Sequence, residues 1–239
     1  MSNIFFKFKQ FTVFQDQCAM KVGTDGVLLG AWVNVESCTK ILDVGTGTGL
    51  ISLMLAQRNA VAQIDAIDID EQCVHQAQLN VENSPFALQI DVQYTSFQDF
   101  NSVTNNKYDL IVSNPPYFQN ALKSPFKSRN FARHDNTLTL SDIISQSSLL
   151  LNPKGRLALI LPHDFHQQIL EEAAKVNLIV NRVTNVFSLQ NKPPKRILVE
   201  LIKDTDTINC TMSDLVIEVS RHQYTPEFIA LTDDFYLDK

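Results

Sequence analysis

The chain has 239 residues, enough for one good-sized core, and 44% hydrophobic with 19% charged residues excludes a disordered or low-complexity protein. Its formal net charge of −6 excludes coating of nucleic acid by bulk attraction, so any nucleic-acid site has to be a local patch. Residues 1–11 lack the apolar core and cleavage site of a secretory signal, and no apolar run reaches membrane-spanning length, so a cytoplasmic protein is expected; a monomer is the working expectation, which the sequence does not decide.

Residues 4–14 are rich in Phe, with Lys7 and Lys9 alternating against Phe6 and Phe8, which predicts a short strand or hairpin. Cys18, Cys38, Cys73 and Cys210 are scattered, with no metal-ligand spacing, and read as reduced thiols. Gly23-Thr24-Asp25 precedes the apolar stretch from Val27 to Trp32, predicting a helix capped by Thr24 or Asp25. From residue 40 the pattern alternates. Strands are predicted over 40–44, 63–67, 89–93, 108–113, 155–161, 178–186 and 197–202, with helices over 50–58, 71–83, 141–151 and 164–176. Such alternation, with continuously apolar strands such as Leu157 to Leu161, implies a parallel sheet covered on both faces. Asn191-Lys192-Pro193-Pro194 reads as a turn, so the last strands should be antiparallel. The expected fold is α/β and Rossmann-like: a mostly parallel seven-stranded sheet with an antiparallel C-terminal strand and an N-terminal β-hairpin. A single domain is expected, with hairpin and helix over 1–39 and the core over 40–239.

Asp43-Val44-Gly45-Thr46-Gly47-Thr48-Gly49-Leu50 leaves the first core strand, turns through three alternate glycines and enters a helix. Glycines there let a ligand lie directly on the backbone. Nineteen residues beyond Gly49, Asp68 ends the next strand, where a carboxylate can accept both hydroxyls of a ribose. A dinucleotide fingerprint would need glycine where Leu50 stands. The spacing is instead that of S-adenosylmethionine enzymes, whose cofactor brings no pyrophosphate to the helix N-terminus. Asp43, Gly45, Thr46, Gly47, Gly49, Asp68 and Ile69 are therefore cofactor candidates.

After the strand over 108–113 comes Asn114-Pro115-Pro116-Tyr117, at the carboxyl end of a central strand and hence beside the ligand crevice. An exocyclic adenine amine is a poor nucleophile because its lone pair is delocalised into the ring. The Asn114 side-chain oxygen and the Pro115 carbonyl can each accept one amino hydrogen and aim that lone pair. Pro116 stiffens the loop, and Tyr117 can stack on the base, worth about 1–3 kcal/mol. No catalytic base is needed, because the product ammonium is strongly acidic. A plain strand-ending turn also favours Asn and Pro, but it does not explain the glycine turn and Asp68 at their spacing. His163 and His166 lack a third ligand, so no metal is expected.

The loop over 118–137 carries Lys123, Lys127, Arg129, Arg133 and His134 against the single acid Asp135. A long basic loop beside the site is the candidate RNA contact. Lys192, Lys195 and Arg196 form a second cluster, read either as an RNA contact or as a solvated hairpin tip.

On Met20-Lys21-Val22-Gly23-Thr24-Asp25-Gly26, the glycine turn, Ser113 to Tyr117, and the closing run from Phe228 to Leu237, the chain resembles the bacterial tRNA(Val) (adenine-37-N6)-methyltransferases over nearly its whole length. The resemblance implies transfer of a methyl group from S-adenosylmethionine to the N6 amine of adenine 37 in tRNA(Val). It also places Lys21, Thr24 and Asp25 beside the methionine part of the cofactor, Asp43 and Gly45 along it, and Asp68 on the ribose. Where relatives often carry an acid for the cofactor adenine, this chain has Thr95-Ser96-Phe97, which leaves Ser96 and Phe97 as candidates and Asp99 as a spare acid.

Protein glutamine-amide methyltransferases share the tetrapeptide but add a helical substrate domain before the glycine turn, and only about forty residues precede Asp43 here. DNA adenine methylation calls for a larger target-recognition region. A guanine-N2 rRNA methyltransferase and a non-catalytic cofactor- and RNA-binding module complete the alternatives.

Overall fold

The computed structural model describes residues 3–116, 138–203 and 210–237. It opens with an antiparallel hairpin of β1 (Phe5–Lys7) and β2 (Thr12–Phe14). There follow α1 (Thr24–Trp32), β3 (Lys40–Val44), α2 (Leu50–Arg58), β4 (Gln63–Asp68), α3 (Glu71–Glu82), β5 (Ile90–Tyr94), α4 (Phe97–Val103) and β6 (Tyr108–Ser113). The second half holds α5 (Leu140–Leu150), β7 (Leu151–Pro162), α6 (His166–Lys175), β8 (Leu178–Leu189), β9 (Arg196–Lys203), β10 (Thr211–Ser220), β11 (Gln223–Tyr224) and α7 (Pro226–Thr232).

The main sheet has the order β11-β10-β8-β9-β7-β6-β3-β4-β5. The pairs β3–β4, β4–β5, β3–β6, β6–β7 and β8–β10 are parallel, while β9 runs antiparallel to both β7 and β8, as the turn at Pro193-Pro194 predicts. The seven-stranded expectation is corrected to nine strands by β10 and β11. Of β10, only Leu215 is buried, and its first four residues are all exposed, so this near-edge strand opens without the apolar character of a strand covered on both faces.

Strand alternation divides the core. Along β7, Leu157, Leu159 and Leu161 enter one apolar cluster while Ala158 and Ile160 enter the other. Each buried leucine contributes about 1.5–3 kcal/mol. One face is covered by α1, α2, α3 and the hairpin, whose Phe8, Phe11 and Val13 are buried there. The other is covered by α4, α5 and α6, with Phe97, Ile143, Ile144 and Ile169 in its cluster.

The capping expectation at α1 is also corrected. Gly23 occupies the cap position with an extended backbone, and Thr24 and Asp25 fall in the first turn. The physical reason is that the Asp25 carboxylate is engaged at 2.7 Å by Nε of Arg196 from β9.

Candidate active site

β3 is flanked by β4 on one side and β6 on the other. The chain order reverses there, which opens a crevice at the carboxyl ends of these strands. Register fixes what meets at that rim. Val44 stands beside both Ile67 and Ser113, so the next residues, Gly45, Asp68 and Asn114, leave three adjacent strands in one row. With strands about 4.8 Å apart, Asp68 and Asn114 flank the glycine turn across about 10 Å. The Ser113 hydroxyl donates to the Val44 carbonyl at 2.7 Å and ties the two loops together below this row.

All three turn glycines have positive φ: 73° at Gly45, 57° at Gly47 and 80° at Gly49. A Cβ added to Gly45 or Gly47 would meet nothing within 4 Å, whereas one on Gly49 would stand 3.4 Å from the Ala77 Cβ. Gly49 thus faces α3 at ordinary contact distance and is favoured there by its left-handed backbone, and the first two glycines bound open space. Gly47→Ala is expected to lower stability by only about 1–2 kcal/mol, the cost of a left-handed alanine. Its methyl would project into the space where a ligand approaches the backbone, so cofactor affinity should fall about tenfold or more. Thermal melts and titration calorimetry on the variant check both halves.

Asp68 is held by its neighbours without being used up by them. One carboxylate oxygen accepts the Gly47 N–H at 2.8 Å and the other the Asp70 N–H at 3.0 Å, which leaves each oxygen a further acceptor site. Burial raises its pKa, and the N–H groups of Asp70 and Gly47 pull it back. Next to it, Ile69 is 53% exposed, an apolar side chain standing at the rim.

Asp43 is fully buried. Its Oδ2 accepts the hydroxyls of Thr46 and Ser52, each at 2.7 Å, while its Oδ1 is buried without a partner. Burial pushes its pKa up to about 6 against those two hydrogen bonds, and the charge of Asp68 adds to the rise. The folded chain thus binds this proton more tightly than the unfolded one. The group's contribution to stability is full below about pH 4 and is lost as pH rises through 6, about 3 kcal/mol in all. Asp43→Asn, which cannot ionise, is expected to melt above the wild type at pH 7.5, with the gap closing toward pH 5. A gap independent of pH would contradict the assignment.

Gly26 in α1 approaches the start of α2 so closely that an added Cβ would stand 3.0 Å from Leu50 Cδ2 and 4.0 Å from the Asn114 amide nitrogen. This contact brings the segment carrying Lys21, Thr24 and Asp25 to the tetrapeptide. Asn114 is half-buried, Pro115 buried and Pro116 exposed.

Two expectations change. Ser96 caps α4, accepting the Asp99 N–H at 3.0 Å and donating to the Asp99 carboxylate at 2.7 Å, so that hydroxyl and acid are spent largely on each other. The Phe97 side chain is buried in the core, which leaves its backbone as the part at the rim. The spacing of Ser96 and Asp99 fits an N-cap, a signal the alternation pattern overlooks. In the second basic cluster Arg196 bridges β9 to α1 through Asp25, while Lys192 and Lys195 are exposed. The Lys195 carbonyl accepts the His163 N–H at 3.2 Å, placing the cluster on the rim that holds Asn114. Tyr117, Lys123, Lys127, Arg129, Arg133 and His134 lie outside the described residues.

The residues present fit S-adenosylmethionine. The open cradle over Gly45 and Gly47, the unused acceptor sites of Asp68 and the orphaned Asp43 oxygen suit a ligand that carries a ribose and a cationic amino acid. Among the described residues no cluster of three metal-binding side chains occurs, and no helix is long and apolar enough to cross a membrane.

Fold and site together define an S-adenosylmethionine-dependent methyltransferase. The methyltransferase small domain family matches residues 18–187. A solved structure, a predicted O-methyltransferase from Agrobacterium tumefaciens, shares the fold with a TM-score of 0.70 at 19% identity, over 88% of this chain and 96% of its own. Among curated relatives, a protein of Parabacteroides distasonis is 51% identical over 99% of both chains, and one of Trichodesmium erythraeum is 47% identical over 97% of both. Both are named tRNA1(Val) (adenine(37)-N6)-methyltransferase. The chain belongs to this family within the methyltransferase small domain proteins.

Proposed function

We propose that this enzyme transfers the methyl group of S-adenosylmethionine to the exocyclic N6 amine of adenine 37 in tRNA(Val), acting in the cytoplasm as a monomer and as a single methyltransferase domain. The observation that carries the reading is the shared rim on which Asp68, the open glycine turn and Asn114 leave adjacent parallel strands. When bound, the cofactor supplies a methyl group made electrophilic by the neighbouring sulfonium.

The chain's own residues then have separate tasks. Asp68 accepts the ribose hydroxyls, Ile69 lies against the apolar side of the nucleoside, and Gly45, Thr46 and Gly47 offer backbone without side-chain obstruction. Lys21, Thr24 and Asp25 border the amino-acid end. Asn114 Oδ1 and the Pro115 carbonyl each accept one hydrogen of the target amine, which directs its lone pair at the methyl carbon and favours a pyramidal nitrogen. Methylation raises the acidity of that nitrogen, so its proton leaves to solvent without a dedicated base.

The substrate base has to be unpaired, since its amine is otherwise stacked and hydrogen-bonded, and a tRNA anticodon loop presents such bases. Lys192 and Lys195, exposed on the same rim, supply local positive charge of the kind that an acidic protein requires to hold RNA. The test is incubation with total tRNA and labelled cofactor, followed by nucleoside mass spectrometry and mapping of the modified position. N6-methyladenosine beside the anticodon of tRNA(Val) is the expected product. Label in methylguanosine, or in protein alone, would overturn the reading.

A further inference from the structure

Cys18 and Cys73 are 55 positions apart, yet their Sγ atoms are in contact at 2.6 Å. Both are free and buried thiols. The scattered cysteines of the sequence thus include one close pair, and its position is informative. Cys18 lies just before the segment that carries Lys21, Thr24 and Asp25 to the rim, and Cys73 lies in the first turn of α3, three residues beyond its capping Asp70.

A row of hydrogen bonds also fastens that segment, and the end of β2 before it, to α3. The Asn80 amide exchanges bonds with Phe14, accepting its N–H at 2.8 Å and donating to its carbonyl at 2.9 Å. Further along, the Gln17 N–H donates to Gln76 at 3.1 Å, and the Gln17 side-chain oxygen pairs with His75 at 3.0 Å. The Cys18–Cys73 contact is the last of this row, nearest the rim.

We propose that Cys18 and Cys73 are an oxidation site, at which hydrogen peroxide joins them in a disulfide that staples the strap leading to the cofactor rim onto α3. Two sulfurs already in contact close by only about half an ångström to reach the bonded distance of about 2.05 Å, so the backbone need not rearrange.

The chemistry balances with the peroxide as sole oxidant. One sulfur, ionised, attacks a peroxide oxygen; the O–O bond breaks, leaving a sulfenic acid and, after proton uptake, one water. The second sulfur attacks the first and displaces that oxygen as a second water, forming the S–S bond. Two electrons pass from the sulfurs to the peroxide, and both thiol protons end in water. The contact with Cys18, followed by burial, holds the Cys73 thiol well above the ordinary range. Cys73 therefore has to give up its proton as it attacks, and the reaction at neutral pH is slow.

The staple closes a long loop, so its main effect is on the unfolded chain. The test uses the full chain carrying Cys210→Ser, which removes the exposed thiol. The protein is treated with hydrogen peroxide, alkylated under denaturing conditions, digested and weighed, and a second sample is melted before and after dithiothreitol. The expected result is a linked Cys18–Cys73 peptide lighter by two hydrogens, with a melting temperature higher by about 5 °C or more that dithiothreitol reverses. Adding Cys18→Ala and Cys73→Ala should remove both responses; if that variant does not fold, the peptide mass and melt of the parent decide alone. Thiols that remain open to alkylation, sulfinic or sulfonic acid at either position, or a melting temperature lowered on linkage would each overturn the proposal.

Discussion

Replacing Asn114 by alanine is expected to lower kcat by about 10²–10³, the scale on which loss of one preorganised polar group at a reacting centre is felt, while cofactor affinity stays nearly unchanged. The side chain is asked to act on the incoming amine, whereas the cofactor's ribose is held two strands away at Asp68. An effect on the transition state alone lowers kcat and kcat/KM together. The position also makes a folding defect small: Asn114 follows β6 instead of lying within its ladder, and the tie below it is made by Ser113. Single-turnover methylation of tRNA, with calorimetric titration of S-adenosylmethionine, separates the two quantities. Transfer within a few-fold of the wild type would remove Asn114 from the reacting centre.

Asp68→Ala should give the opposite pattern. Two ribose hydroxyls on a carboxylate, at about 1.5–3 kcal/mol for each hydrogen bond to a charged group, amount to a loss in cofactor affinity of about 10²-fold or more, with kcat largely recovered at saturating cofactor. The variant also deprives the Gly47 and Asp70 N–H groups of their acceptor, so the glycine turn loosens along with the direct contact. Asp68→Asn keeps one acceptor oxygen and should lie between the two. Equal affinities for all three proteins would show that the ribose sits elsewhere.

The parts of this architecture that depend on local periodicity are legible in the chain. The helix over 50–58 and the strands over 40–44 and 108–113 appear with the bounds expected of them, because each is a largely buried, apolar-rich segment of fitting length bounded by turn residues. The rim residues Gly45, Asp68 and Asn114 could be singled out for the same reason: each closes a recognisable strand. What escaped depends on partners distant in sequence. Asp25 reads as a helix cap until Arg196, 171 positions away, takes its carboxylate. Ser96, a candidate for the cofactor adenine, and the spare acid Asp99 also pair as the cap of the short helix α4, which the alternation pattern does not show. β10 escaped because its first four residues, Thr211 to Asp214, are exposed on both faces and three of them are polar. The pairing of Cys18 with Cys73 has no local signal at all.

The most direct measurement of the central claim is a crystal structure with S-adenosylmethionine bound. The ribose hydroxyls are expected on the Asp68 carboxylate, the adenosine path over Gly45 and Gly47, and the sulfonium methyl turned toward Asn114 Oδ1. A cofactor seated away from this row, or an Asn114 amide whose oxygen is turned into the protein interior, would contradict it.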